Sequence, residues 1–442
     1  MFKKLSAIQS IALGFAIIIL VGALLLMLPA CNRDGQPIPF VHALFMASSA
    51  TCVTGLTLYD TYSQFTMFGQ IVLLSLIQIG GLGFMTVAVF FFFVFNKNIG
   101  LKERVFLTTA VSSLRIGGVV RLIKRILIGT FFIEMLGACL LATQFCPQFG
   151  IQGIWFSIFH AVSAFCNAGF DLMGIIQPSS SLMLFYDNKV VNFTIMGLIV
   201  SGGIGFVIWD DLKNKGLKWK SYELHTKVIL SFTLGLIVIP SLLFFFTERQ
   251  TAMSGLTNQE ALMASFFHSI SSRTAGFNTV DMSQLSLSGS LLTSVLMFIG
   301  AGSGSTAGGI KVGTFAAMLL SVLAYIRGKK DIEIFQRRLD LALIHQAFCC
   351  TLFYLFLALT SIFLILWFQP FKLEDVMFEV FSALGTVGIS RGITGDLNIW
   401  SQLIIIMLMY SGRVGSLAIL VSLSSKRKTG YLRNPVDRII IG

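Results

Sequence analysis

Long apolar runs separated by polar segments dominate the chain, at 8–29, 68–95, 122–145, 192–209, 227–247, 291–326, 343–368 and 400–423. Each approaches or exceeds the ~20 residues that a bilayer crossing needs. The runs are continuous, without the alternation of a barrel strand, which predicts spanning helices. Within each successive pair lies a shorter apolar segment followed by a glycine. A helix of ~12 residues covers only ~18 Å, so it enters a ~30 Å hydrocarbon core and must turn back. Backbone that leaves the helix at that depth survives only where protein or a water-filled cavity satisfies it.

Composition sharpens this picture. The 442 residues are 55% hydrophobic and only 12% charged, with a mean hydropathy of +0.84. That excludes a water-soluble fold. The net charge of +12 would suggest nucleic acid in a soluble protein, but 24 of the 32 Lys and Arg fall in five clusters, at 3–4, 97–125, 213–227, 327–338 and 426–438. Basic loops stay cytoplasmic, so the clusters put both termini and three loops inside, and no nucleic-acid partner is expected. The seven cysteines show neither disulfide nor zinc spacing. Lys3 and Lys4 ahead of an apolar run ending Leu28-Pro29-Ala30-Cys31 faintly resemble a lipoprotein signal. The run is long for one, however, and Pro29 does not suit cleavage.

The short segments form a repeat. A Phe stands ten residues before a glycine in each: Phe45 and Gly55, Phe159 and Gly169, Phe266 and Gly276, Phe378 and Gly388. Ser49, Ser163 and Ser382 lie six before it, and Ile270 breaks the pattern in the third. A unit of about 110 residues thus recurs four times, dividing the chain at 1–100, 101–217, 218–335 and 336–442. The fold class expected is an all-α polytopic membrane protein: four helix, re-entrant loop, helix repeats around one pseudo-fourfold pore, with eight spanning helices and four re-entrant ones.

Such a pore suits a cation. An ion leaving water needs replacement oxygens, and rings of backbone carbonyls supply them without a full charge. Glycine adopts φ > 0 and leaves room at a crowded axis. The expected cation site comprises Val53, Thr54 and Gly55; Asn167, Ala168 and Gly169; Thr274, Ala275 and Gly276; and Thr386, Val387 and Gly388. Helices ending there direct partial negative charge at the ion. Asn167, Asp60, Asp171, Arg273 and Asn278 orient these loops, help to dehydrate the ion, or are ordinary loop caps.

In the third unit the second run contains Gly300-Ala301-Gly302-Ser303-Gly304-Ser305-Thr306-Ala307-Gly308-Gly309, then Ile310-Lys311. Five glycines at ~0.8 to 1.0 kcal/mol each break a helix. The GxxxxGK[ST] pattern of a phosphate loop is missing, so the segment 300–311 reads as an intramembrane obstruction, a gate. Arg413 lies at nearly the same depth in the fourth unit. An arginine there costs at least ~2.5 kcal/mol unless it faces a cavity or a partner. It either anchors the loop, raises a barrier under the ring, or pairs with Glu134 or Glu379. The pairs Gly80 and Gly83, Gly202 and Gly205, and Gly412 and Gly415 are expected to allow close helix approach. His160 and Glu379 share a register with Met46 and Phe267, and a lone buried histidine reads most simply as a hydrogen-bonded helix residue. No catalytic motif is present, so no enzymatic site is expected, and a membrane enzyme stands as the alternative from another class.

At these residues the chain resembles the Trk, Ktr and plant HKT superfamily of potassium transporters, most closely the membrane subunit of bacterial Ktr systems. The resemblance rests on Thr51-Cys52-Val53-Thr54-Gly55-Leu56, Gln78-Ile79-Gly80-Gly81-Leu82-Gly83-Phe84, Phe165-Cys166-Asn167-Ala168-Gly169-Phe170, Arg273-Thr274-Ala275-Gly276-Phe277-Asn278 and Gly385-Thr386-Val387-Gly388. It implies potassium as substrate, since glycine at all four filter positions goes with potassium selectivity, and leaves sodium coupling open. It also implies a movable loop as gate, a homodimer in the bacterial plasma membrane among its lipids, and a separate cytoplasmic ring that binds nucleotide and controls the gate. The basic segments 97–125, 213–220, 327–338 and 426–442 are the expected docking surface for that ring.

Overall fold

A computed structural model describes residues 7–83, 118–216 and 218–415. Lys3, Lys4, Lys97, Phe84 and the rest of the 84–117 segment, and the tail 426–442 lie outside the described residues, as do the ends of the runs 68–95 and 400–423.

Helices dominate the described chain. The first unit contains α1 (Ala7–Leu26), α2 (Phe40–Cys52) and α3 (Met67–Leu82), and the second α4 (Val119–Phe149), α5 (Gln152–Cys166), α6 (Lys189–Gly203) and α7 (Phe206–Lys215). The third contains α8 (Leu224–Thr247), α9 (Asn258–Ser271), α10 (Leu287–Phe298) and α11 (Val312–Ile326), and the fourth α12 (Leu341–Phe368), α13 (Leu373–Gly385) and α14 (Ile399–Val414). A two-strand hairpin, β1 (Glu333–Ile334) with β2 (Arg337–Arg338), carries part of one basic cluster between α11 and α12.

Among the described helices, four are long and apolar enough to cross a membrane: α1, α4, α8 and α12. A fifth counts if α6 and α7, bent by 96° where they meet, form one span. The sequence predicted an unbroken run at 192–209; Gly205, at φ 106°, breaks it. The long helices turn large apolar side chains outward, as with Phe132 (69% exposed), Phe246 (75%) and Trp367 (74%). Lipid is the medium in which such a surface is stable.

The helix that follows the glycine segment in each unit starts from a side-chain cap. Thr66, Asn188, Ser286 and Asn398 accept the amides of Gly69, Val191, Gly289 and Ser401 at the heads of α3, α6, α10 and α14. These bonds satisfy orphan N–H groups. The short helices α2, α5, α9 and α13 pack inside. Each lies against the long helix of its own unit and against a helix of the preceding unit: α5 on α3, α9 on α6, α13 on α10, and α2 on α14. The last contact joins the fourth unit to the first and closes the assembly around an axis.

Candidate cation site

The inner ends of the short helices bring the four aligned glycines together. All have positive φ: 97° at Gly55, 70° at Gly169, 86° at Gly276 and 89° at Gly388. Gly55 lies against the carbonyl of Ala168, Gly169 against that of Ala275, Gly276 against that of Val387, and Gly388 against that of Thr54. Four contacts in chain order make a closed ring. A Cβ at Gly55 or Gly276 would stand 2.5 Å, and at Gly169 2.6 Å, from the neighbouring oxygen. No side chain fits there in this backbone, which is already in the region that L-residues avoid.

The residues ahead of the ring turn the chain out of its helix. Val53, Asn167 and Thr386 cap α2, α5 and α13 in the left-handed conformation, with φ of 59°, 61° and 51°. The next amides, of Thr54, Ala168 and Val387, then reach back to the carbonyls of Ser49, Ser163 and Ser382 at 2.8 to 2.9 Å. The hydroxyls of the same serines complete the bracing. Ser49 accepts the Gly55 amide at 3.0 Å, Ser382 accepts the Gly388 amide at 3.1 Å, and Ser163 donates to the Phe170 carbonyl at 2.7 Å.

In the third unit the helix is displaced by one residue relative to its glycine. α9 runs to Ser271 and its cap Ser272 stays right-handed, so Thr274 has no left-handed turn to make. Ser271, not Ile270, therefore takes the bracing role, donating to the Phe277 carbonyl at 2.6 Å. The same displacement buries Phe267 fully where Phe266 was aligned, and puts His268 in the register of His160. His160 Nδ1 donates to the Phe156 carbonyl at 2.7 Å, and its Nε2 accepts the Leu172 amide at 3.4 Å. His268 Nε2 pairs with the Thr293 hydroxyl at 2.9 Å. Glu379, at the same level, accepts from Ser390 at 2.7 Å and Thr394 at 2.6 Å. His160 and Glu379 hold helix to loop behind the ring, and His268 holds α9 to α10.

On one side the ring is the floor of a cavity of 420 Å³, whose walls carry Asp60, Asp171, Asp281 and Arg391. Burial pushes the Asp171 carboxyl up to about 7, opposed by the Met173 amide and aided by nearby Asp60. Asp281 is also partly desolvated, but hydrogen bonds from Ser283 and Gln284 bring it below the usual carboxylate range. Arg391 is neutralised by Asp375 at 3.3 Å and Glu374 at 3.9 Å. The wall thus presents net negative charge. Asp60 also has a structural task, capping the turn Thr61–Gln64 and accepting the Ser179 amide at 3.0 Å.

On the other side lies the glycine-rich segment. Between α10 and α11, a pairing of Ile299 with Ile310 and a bond from the Val312 amide to the Ala301 carbonyl at 3.0 Å close it into a loop. The bend between α6 and α7 receives that loop. The Gly302 amide donates to Gly203 at 2.8 Å, the Thr306 amide to Gly202 at 3.3 Å, and the Phe206 amide to Gly304 at 2.9 Å. Gly308 lies on the Thr386 side chain and Gly309 on Gly385. Ser305 bridges Gly302 and Ala307 within the loop, Lys311 Nζ binds the Ala307 and Gly308 carbonyls, and Arg273 reaches the Gly300 carbonyl at 3.3 Å. Gly302 and Ser303 meet the bend, against the Ile204 carbonyl and Gly205, while Gly300 lies on the Gly308 carbonyl across the loop.

Arg413 ties these parts together. Its guanidinium binds the Thr306 carbonyl of the loop and the Gly80 and Gly81 carbonyls at the C-terminal end of α3, the last at 2.8 Å. A cation there meets the negative end of a helix. Neither acid named as a partner is used: Glu134 accepts from Gln78 at 3.2 Å, and Glu379 faces its hydroxyls. The glycine pairs divide two tasks. Gly80, Gly202 and Gly412 sit on the carbonyls of Thr51, Phe165 and Leu384, giving the close approach expected of both members. Gly83 and Gly415 instead end their helices at positive φ, and Gly205, also at positive φ, heads α7 and lies on the Ser303 carbonyl.

Comparison with known proteins follows this geometry. The family TrkH, described as "Cation transport protein", matches residues 9–431. The Ktr system potassium uptake protein B of Bacillus subtilis is 41% identical over 438 residues, covering 98% of this chain and 96% of its own. The potassium/sodium uptake protein NtpJ of Enterococcus hirae is 41% identical over 451 residues, covering 100% and 98%. The crystal structure of the potassium transporter TrkH from Vibrio parahaemolyticus has the same fold, with a TM-score of 0.75 at 18% identity over 96% of this chain and 86% of that one.

Proposed function

Because the chain belongs to the TrkH family of cation transport proteins, we propose that it takes up potassium through the ring of Gly55, Gly169, Gly276 and Gly388, with the loop 300–311 as its gate. The carrying observation is that each of four glycines, from four distant stretches of chain, abuts the carbonyl ahead of the next. The carbonyls of Thr54, Ala168, Ala275 and Val387 replace the water shell of the ion. The acidic cavity concentrates cations above them. The loop, held by Arg413 and seated in the bend at Gly205, closes the path below. The membrane potential drives the ion inward, with ~2.3 kcal/mol per charge per 100 mV.

The fold that goes with this reading is four repeats of helix, re-entrant helix and helix around one pore. A homodimer with both termini in the cytoplasm follows from this reading, as does a cytoplasmic nucleotide-binding ring docked on the basic segments 213–220 and 327–338. As a member of a transporter family, the chain is not an enzyme. A second reading, sodium permeation or coupling, draws on the relative that handles both ions by name.

Potassium and sodium flux into proteoliposomes, for wild type and Gly55→Ser, tests the ring. A serine Cβ would meet the Ala168 oxygen at 2.5 Å, so the variant should lose preference for potassium. Unchanged preference would overturn the assignment. Equal wild-type flux of both ions favours the second reading.

A further inference from the structure

Asn167 and Thr306 belong to different parts of this reading, the ring and the gate, yet their side chains meet. Asn167 stands two residues ahead of Gly169 in the left-handed conformation, which asparagine adopts more readily than most residues. Its amide and the Thr306 hydroxyl are 3.2 Å apart, and both residues are fully buried. The Thr306 hydroxyl also reaches the Phe165 carbonyl at 3.3 Å, at the last turn of α5. Thr386, the equivalent of Asn167 in the fourth unit, rests on Gly308 of the same loop. Two of the three left-handed turns that shape the ring are therefore supported from below by the gate.

We propose that the Asn167–Thr306 contact couples the two, so that the seated loop holds the ring in its potassium-binding shape and potassium in the ring holds the loop seated. The proposal rests on the ring and gate assignments above. When the loop leaves, the Asn167 side chain keeps the Ile199 and Ala164 carbonyls within reach of its NH2 group but loses its bond to the loop, and the turn that aims the Ala168 carbonyl retains only the bracing by Ser163 within its own unit. Such coupling is reciprocal: whatever the loop adds to potassium affinity, potassium adds to loop seating. Thr306 is thus a positioning residue for selectivity, although it lies in the gate.

The test is titration of the purified full-length protein with KCl and, separately, NaCl, followed by calorimetry and by thermal stabilisation. Four proteins are compared: wild type, Thr306→Val, Thr306→Ser and Ser305→Ala. Valine matches threonine in shape and lacks the hydroxyl. Serine keeps the hydroxyl. Ser305→Ala loosens the loop internally without touching Asn167. Potassium binding should weaken about fivefold or more in Thr306→Val, the lower range for coupled sites, with sodium binding unchanged, and Thr306→Ser should restore it. Wild-type affinity in Thr306→Val overturns the coupling. An equal loss in Ser305→Ala overturns the role of this contact in favour of loop order in general. A wild type that binds both ions alike overturns the ring reading, and the coupling with it. If Thr306→Val does not purify, Thr306→Ala carries the same comparison.

Discussion

Glu248 stands where α8 ends, fully buried, and its carboxylate accepts the Ser286 amide at 3.0 Å together with the hydroxyls of Ser286 and Thr251. Burial alone would raise its pKa. The bonds from Ser286, Thr251 and Thr247 outweigh that and leave it below the ordinary carboxylate value. The folded state therefore favours the ionised form. Its stabilisation is complete above the unfolded pKa of about 4.3 and is lost as pH falls through the lower folded value. The melting temperature in detergent should fall as pH drops below about 4, and Glu248→Gln should flatten that part of the profile while lowering stability at pH 7. An identical acid limb in both proteins would refute this. Glu248 was not legible in the sequence, because nothing marks one acid among loop residues as the link between α8 and the cap of α10. The ring glycines were legible, because a Phe and a glycine ten apart recur at spacings of 114, 107 and 112 residues. Ser271 was hidden by the one-residue displacement of α9, which alignment on the glycine cannot register.

At the scale of elements, the break between α6 and α7 matters most. A continuous apolar run concealed it, since Gly202, Gly203 and Gly205 read equally well as a face for close packing. In the structure Gly205 turns at φ 106° and its α-carbon leaves no room beside the Ser303 carbonyl, where a Cβ would come within 2.7 Å. Gly205→Ala must strain the turn, at ~1 to 3 kcal/mol for a backbone conformation confined nearly to glycine, and push the loop from its seat. Lower melting temperature and faster basal potassium flux, without any cytoplasmic partner, are the expected results. Gly197, in the same α6 with nothing within 4 Å of its would-be Cβ, is the matched control. Gly197→Ala should be neutral or stabilising by up to ~1 kcal/mol, with flux unchanged. Equal behaviour of the two variants would mean that the bend does not hold the loop.

Across the whole molecule, the polar groups separate along the axis. The ring cavity carries Asp60, Asp171 and Asp281, whereas Lys218, Lys220, Arg327, Lys329, Lys330 and Arg338 precede α8 and α12, before those helices run toward the cavity side. Trp219 meets Phe335 at 6.3 Å, so two basic segments distant in sequence share one surface. Basic loops are expected in the cytoplasm; on that proposed orientation the acidic cavity faces outward and an inside-negative potential pulls cations from cavity to ring. The direction of transport thus rests on a topology that is tested independently of flux. With the exposed Cys139 and Cys349 changed to serine, single cysteines are introduced by Ser254→Cys, in the exposed loop after α8, and Lys329→Cys, in the basic segment. A membrane-impermeant maleimide should label the first in intact cells and the second only after permeabilisation. The reverse pattern would turn the cavity inward, remove the basic segments from the reach of any cytoplasmic ring, and leave the same filter facing a potential that opposes uptake.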